Sequence, residues 1–327
     1  MSSTIRLALV GTGKVSDLHA RAARRVPNVE LRGAWSQTPE NTRRFAERHD
    51  IVAYPTLGAL LADDKVNAVA VLTPTPTHFR FGLQCLEAGK NVLLEKPIAG
   101  APEQFAALKQ AAAGAGKLCM PSHNYLYDPE LRNAKRHLDA GELGRVSSFW
   151  ILYNLQQEAS LVGPDILTKE VMIHHVYTML HFVGRPKRVS AASTNVWFED
   201  GRSPDQTTAM LEHESGVITN LWASFGATDY SSNPWHVLFK LIGTNGSFQR
   251  SWNDIYLRGQ PVSGWEMGDY HDSFFNVQNH FVNHCLLGGG EPLSTLDDAL
   301  DAWRVIDAIE RSAASGERIA LDFAPAA

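Results

Sequence analysis

The run Ile5-Arg6-Leu7-Ala8-Leu9-Val10-Gly11-Thr12-Gly13-Lys14-Val15-Ser16 decides how the first part of the chain is read. Ile5 to Val10 is a short apolar segment of the kind buried on both faces of a parallel sheet. It runs into a glycine turn, and a helix-like stretch from Asp17 to Arg25 follows. The turn reads G-x-G-x-x-S, one residue away from the dinucleotide-binding pattern G-x-G-x-x-G/A. Gly11 permits the tight turn, and Gly13 lets backbone N–H groups approach a pyrophosphate at a helix N-terminus. Ser16 takes the third small position and still allows close helix–strand packing. Glycine turns are common; a strand before and a helix after strengthen this one. Gly11, Gly13, Lys14 and Val15 are the resulting candidate cofactor contacts.

Working outward, Val29 to Trp35 reads as the second strand, whose end meets the adenosine ribose in dinucleotide-binding folds, usually through Asp or Glu. Here that position is Ser36, followed by Gln37 and Thr38. No carboxylate stands there to repel a 2′-phosphate, and Arg43 and Arg44 follow in the next helix, which favours NADP over NAD. Ser36 can equally cap the helix Pro39 to His49, and both roles can coexist. Alternation continues through a strand Ala68 to Leu72, a loop Thr73 to Thr77 and a helix His78 to Ala88. Then come a strand Asn91 to Leu94, a helix Pro102 to Ala113 and a strand Lys117 to Met120. Strands alternating with helices at this spacing predict a doubly wound parallel sheet. The loop after the third of these strands lies at a carboxyl end, so Thr73, Pro74 and His78 are further cofactor candidates.

The strand Asn91 to Leu94 stops at Glu95-Lys96-Pro97, two opposite charges and a proline. A lysine there is either a positioned proton donor or a solvated strand end. The segment Ala88-Gly89-Lys90-Asn91-Val92-Leu93-Leu94-Glu95-Lys96-Pro97 resembles the AGK-x-V-x-x-EKP signature of the glucose–fructose oxidoreductase/inositol dehydrogenase (Gfo/Idh/MocA) family, and the N-terminal glycine turn matches as well. The resemblance implies an N-terminal Rossmann domain. It also implies a C-terminal α+β domain with a large, mostly antiparallel open-faced sheet. It places Lys96 beside the nicotinamide, with Glu95 among the cofactor-side residues and a peptide bond to Pro97 that is often cis.

From Pro121 the alternation breaks, which puts the domain boundary between 1–121 and 122–327. Glu130 to Ala140 reads as a helix. Strand-like runs follow at Val146 to Leu155, Val189 to Trp197, Thr207 to Leu211, Val217 to Ser224 and His236 to Ile242. Their alternation suits an antiparallel sheet with one face free for helices or another subunit. Helices are expected at Phe274 to Leu287 and at Leu296 to Ser312, the latter opened by Ser294 or Thr295. Within this half, Lys169 to Tyr177 aligns with the family's D-x-G-x-H motif, with Glu170 for Asp and Met172 for Gly. On a helix Glu170 and His174 share a face, and histidine is suited to proton transfer near neutral pH. The bland alternative is an ordinary helix ion pair. The resemblance makes Glu170 and His174 catalytic candidates with Lys96, and Asn124, Tyr125 and His175 substrate contacts. Trp222, Trp235 and Trp252 are candidates to stack on a sugar or to pack in the sheet. His280 and His284 carry metal-like spacing with no third ligand, so no metal is expected.

At 327 residues the chain exceeds one typical core. Its 44% hydrophobic and 20% charged residues describe an ordinary globular protein. A net charge of −5 argues against nucleic acid and anionic membranes as partners. The three scattered cysteines and the absence of a signal-like start lead to a cytoplasmic expectation. The family implies a nicotinamide-dependent oxidoreductase acting on a secondary alcohol or ketone of a sugar or cyclitol. It also implies a homodimer or homotetramer built through the C-terminal sheet. The alternatives left open are an NAD-dependent glycosidase on the same scaffold and a non-enzymatic cofactor-binding sensor.

Overall fold

The computed structural model describes residues 4–156, 165–198, 203–226, 235–252 and 268–324. They divide into two compact units, one of residues 1–127 with 271–300, the other of 128–270 with 301–327.

The first unit carries β1 (Ile5–Val10), α1 (Lys14–Arg25), β2 (Val29–Trp35), α2 (Pro39–His49), β3 (Val52–Ala53) and α3 (Leu57–Ala62). It continues with β4 (Ala68–Val71), α4 (His78–Glu87), β5 (Asn91–Leu94), α5 (Pro102–Ala115) and β6 (Cys119–Pro121). The sheet is parallel, in the order β3-β2-β1-β4-β5-β6. Chain order reverses between β1 and β4, the switch point at which such sheets bind ligands beyond the strand carboxyl ends. β4 is wholly buried, as its unbroken Ala-Val-Ala-Val run requires of a strand covered on both faces. α2 and α5 both open on proline in their first turn, where the missing N–H costs nothing. α5 ends at Ala115, two residues past the helix end read from the sequence, because Gly114 is absorbed into the helix, and Gly116 with φ +61° caps it. The sequence reading passed over β3 and α3: a two-residue strand leaves no periodicity to read, and α3 is a six-residue helix capped by Thr56, which accepts from the Ala59 N–H at 3.0 Å.

This unit also includes 122–127 and 271–300, which the sequence boundary put in the second domain. Buried polar contacts tie them in. His123 Nδ1 lies 2.7 Å from Ser294 Oγ, and Asn124 donates to Ser273 Oγ at 2.8 Å. The helix α8 (Gly268–Asn279), continued by a π-helical stretch His280–Leu286, brings Gln278 against His19 of α1.

The second unit begins with α6 (Pro129–Asp139), capped by Asp128, which accepts from the N–H groups of Glu130 and Leu131. Its seven-stranded sheet comprises β7 (Val146–Leu155), β8 (Pro186–Thr194), β9 (Gln206–His213), β10 (Ile218–Ser224), β11 (Trp235–Gly243), β12 (Ser247–Trp252) and β13 (Ile319–Ala320). The order is β12-β11-β7-β10-β9-β8-β13. All pairings are antiparallel except β7 with β10, so the sheet is mixed and mostly antiparallel. Strand alternation sends Phe149, Ile151, Leu221, Leu211 and Phe239 to a buried face. A π-helical stretch, Ile166–Met172, and α7 (Ile173–Val183) belong to this unit, as does most of α9 (Leu296–Ser315). Arg185 donates to Asp301 at 2.6 Å, and the N–H of Ala191 donates to Ser312 Oγ at 2.9 Å, which fastens α9 to β8. Thr295, not Ser294, caps α9 in a reciprocal pair with Asp298. Among the described residues no helix is long and apolar enough to cross a membrane, and no three His, Cys, Asp or Glu side chains gather as a metal site requires.

Candidate active site

In the first unit the glycine turn follows β1. Gly11 has φ +120°, and a Cβ there would stand 2.5 Å from the Leu72 carbonyl oxygen at the end of β4. Only glycine lets these two strand ends approach so closely. Gly13 is exposed, and a Cβ on it would meet nothing within 4 Å. It is the N-cap residue of α1, and no side chain caps that end. An open glycine cradle at an uncapped helix N-terminus is what a pyrophosphate needs, so the residues present fit a dinucleotide. Lys14, exposed, and Val15, half-buried, form the first turn of α1.

At the end of β2, Ser36 donates from Oγ to Thr38 O at 3.1 Å and lies 2.9 Å from Thr42 Oγ1. Arg43 is exposed; its guanidinium pairs with Glu40 and stands 3.9 Å from Glu47, while Arg44 holds Glu40 at 2.8 Å. Beyond β4, Thr77 donates to Thr73 Oγ1 and to Pro74 O, both at 2.8 Å, closing the loop into one turn of 3₁₀ helix. His78 braces two loops at once: Nδ1 faces Pro97 O at 2.7 Å and Nε2 faces Thr73 O at 2.5 Å. The loops after β4 and β5 are thereby locked to each other, a role that no local pattern reveals.

Beyond β5, the Lys96–Pro97 bond is cis, and Lys96 is half-buried. Glu95 points inward. Its Oε1 takes hydrogen bonds from Ser122 at 2.7 Å and from His19 Nε2 at 3.2 Å, and its Oε2 accepts from the Lys96 N–H at 3.1 Å. Burial raises the Glu95 pKa, but the His19 hydrogen bond, the Lys96 ammonium and the Ser122 hydroxyl outweigh it and hold the carboxyl at about 2. Next to it, burial pushes His123 down to about 3. Asn124 and Tyr125, expected at the substrate, are 3% and 2% exposed in a short 3₁₀ turn, and the Asn124 amide is spent on Ser273. The Asn124 amide thereby serves the packing of this unit.

In the second unit, Glu170 sits in the π-helical stretch and His174 at the start of α7. Both are half-buried. The change from π to α hydrogen bonding falls between them, so the simple α-helical i, i+4 stacking does not describe the pair. His174 Nδ1 lies 2.6 Å from the Tyr177 hydroxyl, and the Tyr177 side chain is buried. This i, i+3 partner was visible as a spacing, yet nothing in the sequence marked the tyrosine as polar support and not core. Met172 is fully buried, so the methionine that replaces the family's glycine is part of the unit's packing. His175, expected at the substrate, is 0% exposed, and neither ring nitrogen has a hydrogen-bond partner among the described residues. Burial holds it at about 3. It is a core histidine: one residue on from His174 the helix turns about 100° and directs the ring into the unit. Trp222 is half-buried on the outward face of the sheet. The side chains of Trp235 and Trp252 fall outside the described residues.

The comparisons with known proteins agree with this geometry. The model of the oxidoreductase family with an NAD-binding Rossmann fold, GFO_IDH_MocA, matches residues 5–123, and that of the GFO/IDH/MocA C-terminal domain matches residues 131–249. The chain is 24% identical over 314 residues to the 4-carboxy-2-hydroxymuconate-6-semialdehyde dehydrogenase of Sphingobium sp. (strain NBRC 103272 / SYK-6), covering 94% of this chain and 98% of that one. It is 24% identical over 343 residues to the scyllo-inositol 2-dehydrogenase (NAD(+)) of Bacillus subtilis (strain 168), covering 98% of both. The solved structure of a myo-inositol dehydrogenase from Corynebacterium glutamicum ATCC 13032 shares the fold at a TM-score of 0.85 and 20% identity, over 98% of this chain and 99% of that one. With the glycine cradle, the Glu95-Lys96-Pro97 strand end and the mixed second sheet all in place, the chain belongs to the Gfo/Idh/MocA oxidoreductase family.

Proposed function

We propose that this chain is a nicotinamide-dependent dehydrogenase that interconverts a secondary alcohol and a ketone on a sugar or cyclitol. The observation that carries the reading is the pairing of an open dinucleotide cradle at Gly11 and Gly13 with a lysine at the end of β5, braced by a buried carboxylate. Relatives named for a cyclitol and for D-apiose support the substrate class. The relatives reported are all dehydrogenases, and no observation favours a glycosidase or a sensor.

When bound, the nicotinamide supplies the hydride acceptor or donor, and the protein's task is to position and polarise. Gly11, Gly13, Lys14 and Val15 hold the pyrophosphate, Ser36 and Arg43 the ribose side, and Thr73, Pro74, His78 and Glu95 shape the floor. In the oxidative direction His174 takes the proton from the substrate hydroxyl, with Tyr177 fixing the orientation of its ring. Lys96 donates a hydrogen bond to the substrate oxygen and stabilises the negative charge that develops there. Glu170 orients the substrate hydroxyls. NADP is the favoured cofactor, because Ser36 carries no charge to repel a 2′-phosphate. The Arg43–Glu40 pair is exposed, and such pairs are weak enough for a phosphate to exchange.

The chain works in the cytoplasm as a homodimer or homotetramer in which the outward sheet face meets a second copy. Trp150 is 50% and Met210 40% exposed there, each flanking Asn220 in register across β7, β10 and β9. Beside them Leu238, Leu152 and Trp222 form a continuous cross-strand row.

The test is a panel of aldoses, keto-sugars and inositols offered with NAD and with NADP, followed by reduced-nicotinamide absorbance. The expected result is turnover of at least one polyol or keto-sugar, faster with NADP. Faster turnover with NAD removes the Ser36 argument. Release of a sugar from a glycoside with no net absorbance change contradicts the dehydrogenase reading.

A further inference from the structure

A chain of buried polar groups runs from α8 to the end of β5. The Gln278 amide donates to His19 Nδ1 at 2.8 Å and to the His19 carbonyl at 2.9 Å. With Nδ1 accepting, Nε2 is the protonated nitrogen and donates to Glu95 Oε1 at 3.2 Å. Ser122 donates to the same oxygen, and the Lys96 N–H binds the other. His19, Gln278 and Ser122 are 0% exposed and Glu95 7%. The Phe274 ring stands edge-on to His19 at 4.9 Å and closes it off. A buried ion that only held the fold together would often be replaced by apolar packing at no loss of stability. Retaining this one, beside the lysine to which chemistry is assigned, indicates another purpose.

We propose that His19 is a positioning residue of the reaction: together with Gln278 and Ser122 it keeps Glu95 ionised and fixed, and Glu95 supplies the constant negative charge beside the Lys96 ammonium. This rests on the role given to Lys96 above. The titratable groups that act on Glu95 are His19 from α1, Lys96 on its own strand and His123 after β6. His123 is held neutral by burial, so it does not cancel the carboxylate's charge. With the His19 donor removed, Glu95 protonates at a higher pH, and Lys96 then loses its counter-charge within the working range.

The test compares His19→Phe, His19→Gln, Ser122→Ala, Glu95→Gln and the His19→Phe/Glu95→Gln double variant. Glutamine can place an amide N–H near the position of Nε2. His19→Phe is expected to lower kcat by about 10–100-fold with the cofactor KM changed less than about threefold. It should also add an acidic limb to the pH profile of kcat. His19→Gln restores most of the rate and removes that limb, and His19→Phe adds no further loss in the Glu95→Gln background. Infrared titration of protein labelled at glutamate carboxyls, with the Glu95 band assigned through Glu95→Gln, reads the same effect without turnover. The Glu95 band stays ionised below about pH 4 in the wild type and protonates at higher pH in His19→Phe. Should His19→Phe not fold, Ser122→Ala shows a smaller shift in the same direction. An unchanged Glu95 titration in the variants overturns the proposal, as does a uniform, additive loss of kcat with the wild-type pH profile. A wild type that turns over no substrate contradicts the proposed function instead, and the infrared result still decides the role of His19.

Discussion

At the scale of single residues, the sequence supplied the identities and the structure supplied their partners. Lys96 is a candidate legible from the ten-residue signature around it. His174 is a candidate legible from a motif that places an imidazole near an acid. Tyr177, His19 and Gln278 were not, since their roles depend on contacts that no local pattern encodes; Gln278 lies 259 residues from His19. His175 was misread because adjacent histidines look alike in sequence, whereas helical geometry sends one to the half-exposed face and the other into the core. That burial has a pH consequence. His123 and His175 are both held at about 3, against 6.5 for an unperturbed histidine. His213 is held at about 4 as well, so between that value and 6.5 the unfolded chain binds three protons that the folded chain does not, and stability falls as pH drops below about 6.5. Glu95 adds to the loss lower down: its contribution is complete above 4.5 and disappears as pH falls towards about 2. Urea unfolding at a series of pH values should show a midpoint that declines from pH 7 to pH 5. His175→Leu should flatten the decline, because it removes one of the three titrating histidines, and should leave turnover within about threefold of wild type. An unchanged pH slope, or a collapse of turnover, contradicts the interior placement of His175.

At the scale of elements, the parallel half was the easier to read. Apolar runs such as Ala68 to Val71 and proline-opened helices such as α2 and α5 announce themselves locally. The elements that escaped are those whose cause is tertiary. β12 follows β11 across the Asn245-Gly246 turn, but its Ser-Phe-Gln-Arg-Ser-Trp sequence acquires strand character only by pairing with β11. The parallel β7–β10 pair lies between strands distant in sequence, so alternation alone cannot distinguish it from an antiparallel neighbour. The π-helical stretch before α7 likewise has no sequence mark. The β1–α1 turn yields the prediction of this scale. In Gly11→Ala the new Cβ meets the Leu72 carbonyl at 2.5 Å in a backbone region that L-residues avoid. The strands must separate, at a cost of roughly 1–3 kcal/mol. Thermal unfolding should show the lower midpoint and a dinucleotide titration a loss of affinity. Unchanged binding would mean that this turn does not hold the cofactor.

At the scale of the whole molecule, the proposed function divides the labour between two units with different sheets: it assigns cofactor and Lys96 chemistry to the first, and His174 chemistry and an apolar outer sheet face to the second. That face gives the assembly prediction. Trp150→Glu places a charge in the exposed row opposite Asn220 and Lys240. Sedimentation should show it shifting the chain towards monomer while the fold persists; an unchanged mass would place the subunit contact elsewhere. The central claim, that Lys96 acts on the reacting oxygen and is not a mere strand end, is tested most directly by Lys96→Ala. The measurement is kcat on the best substrate of the panel, set beside the cofactor dissociation constant from fluorescence titration. Loss of a charge-stabilising donor predicts a fall in kcat of about 10²–10³-fold with cofactor affinity within a few-fold of wild type. A parallel loss of cofactor binding and turnover, or a kcat left intact, would contradict it.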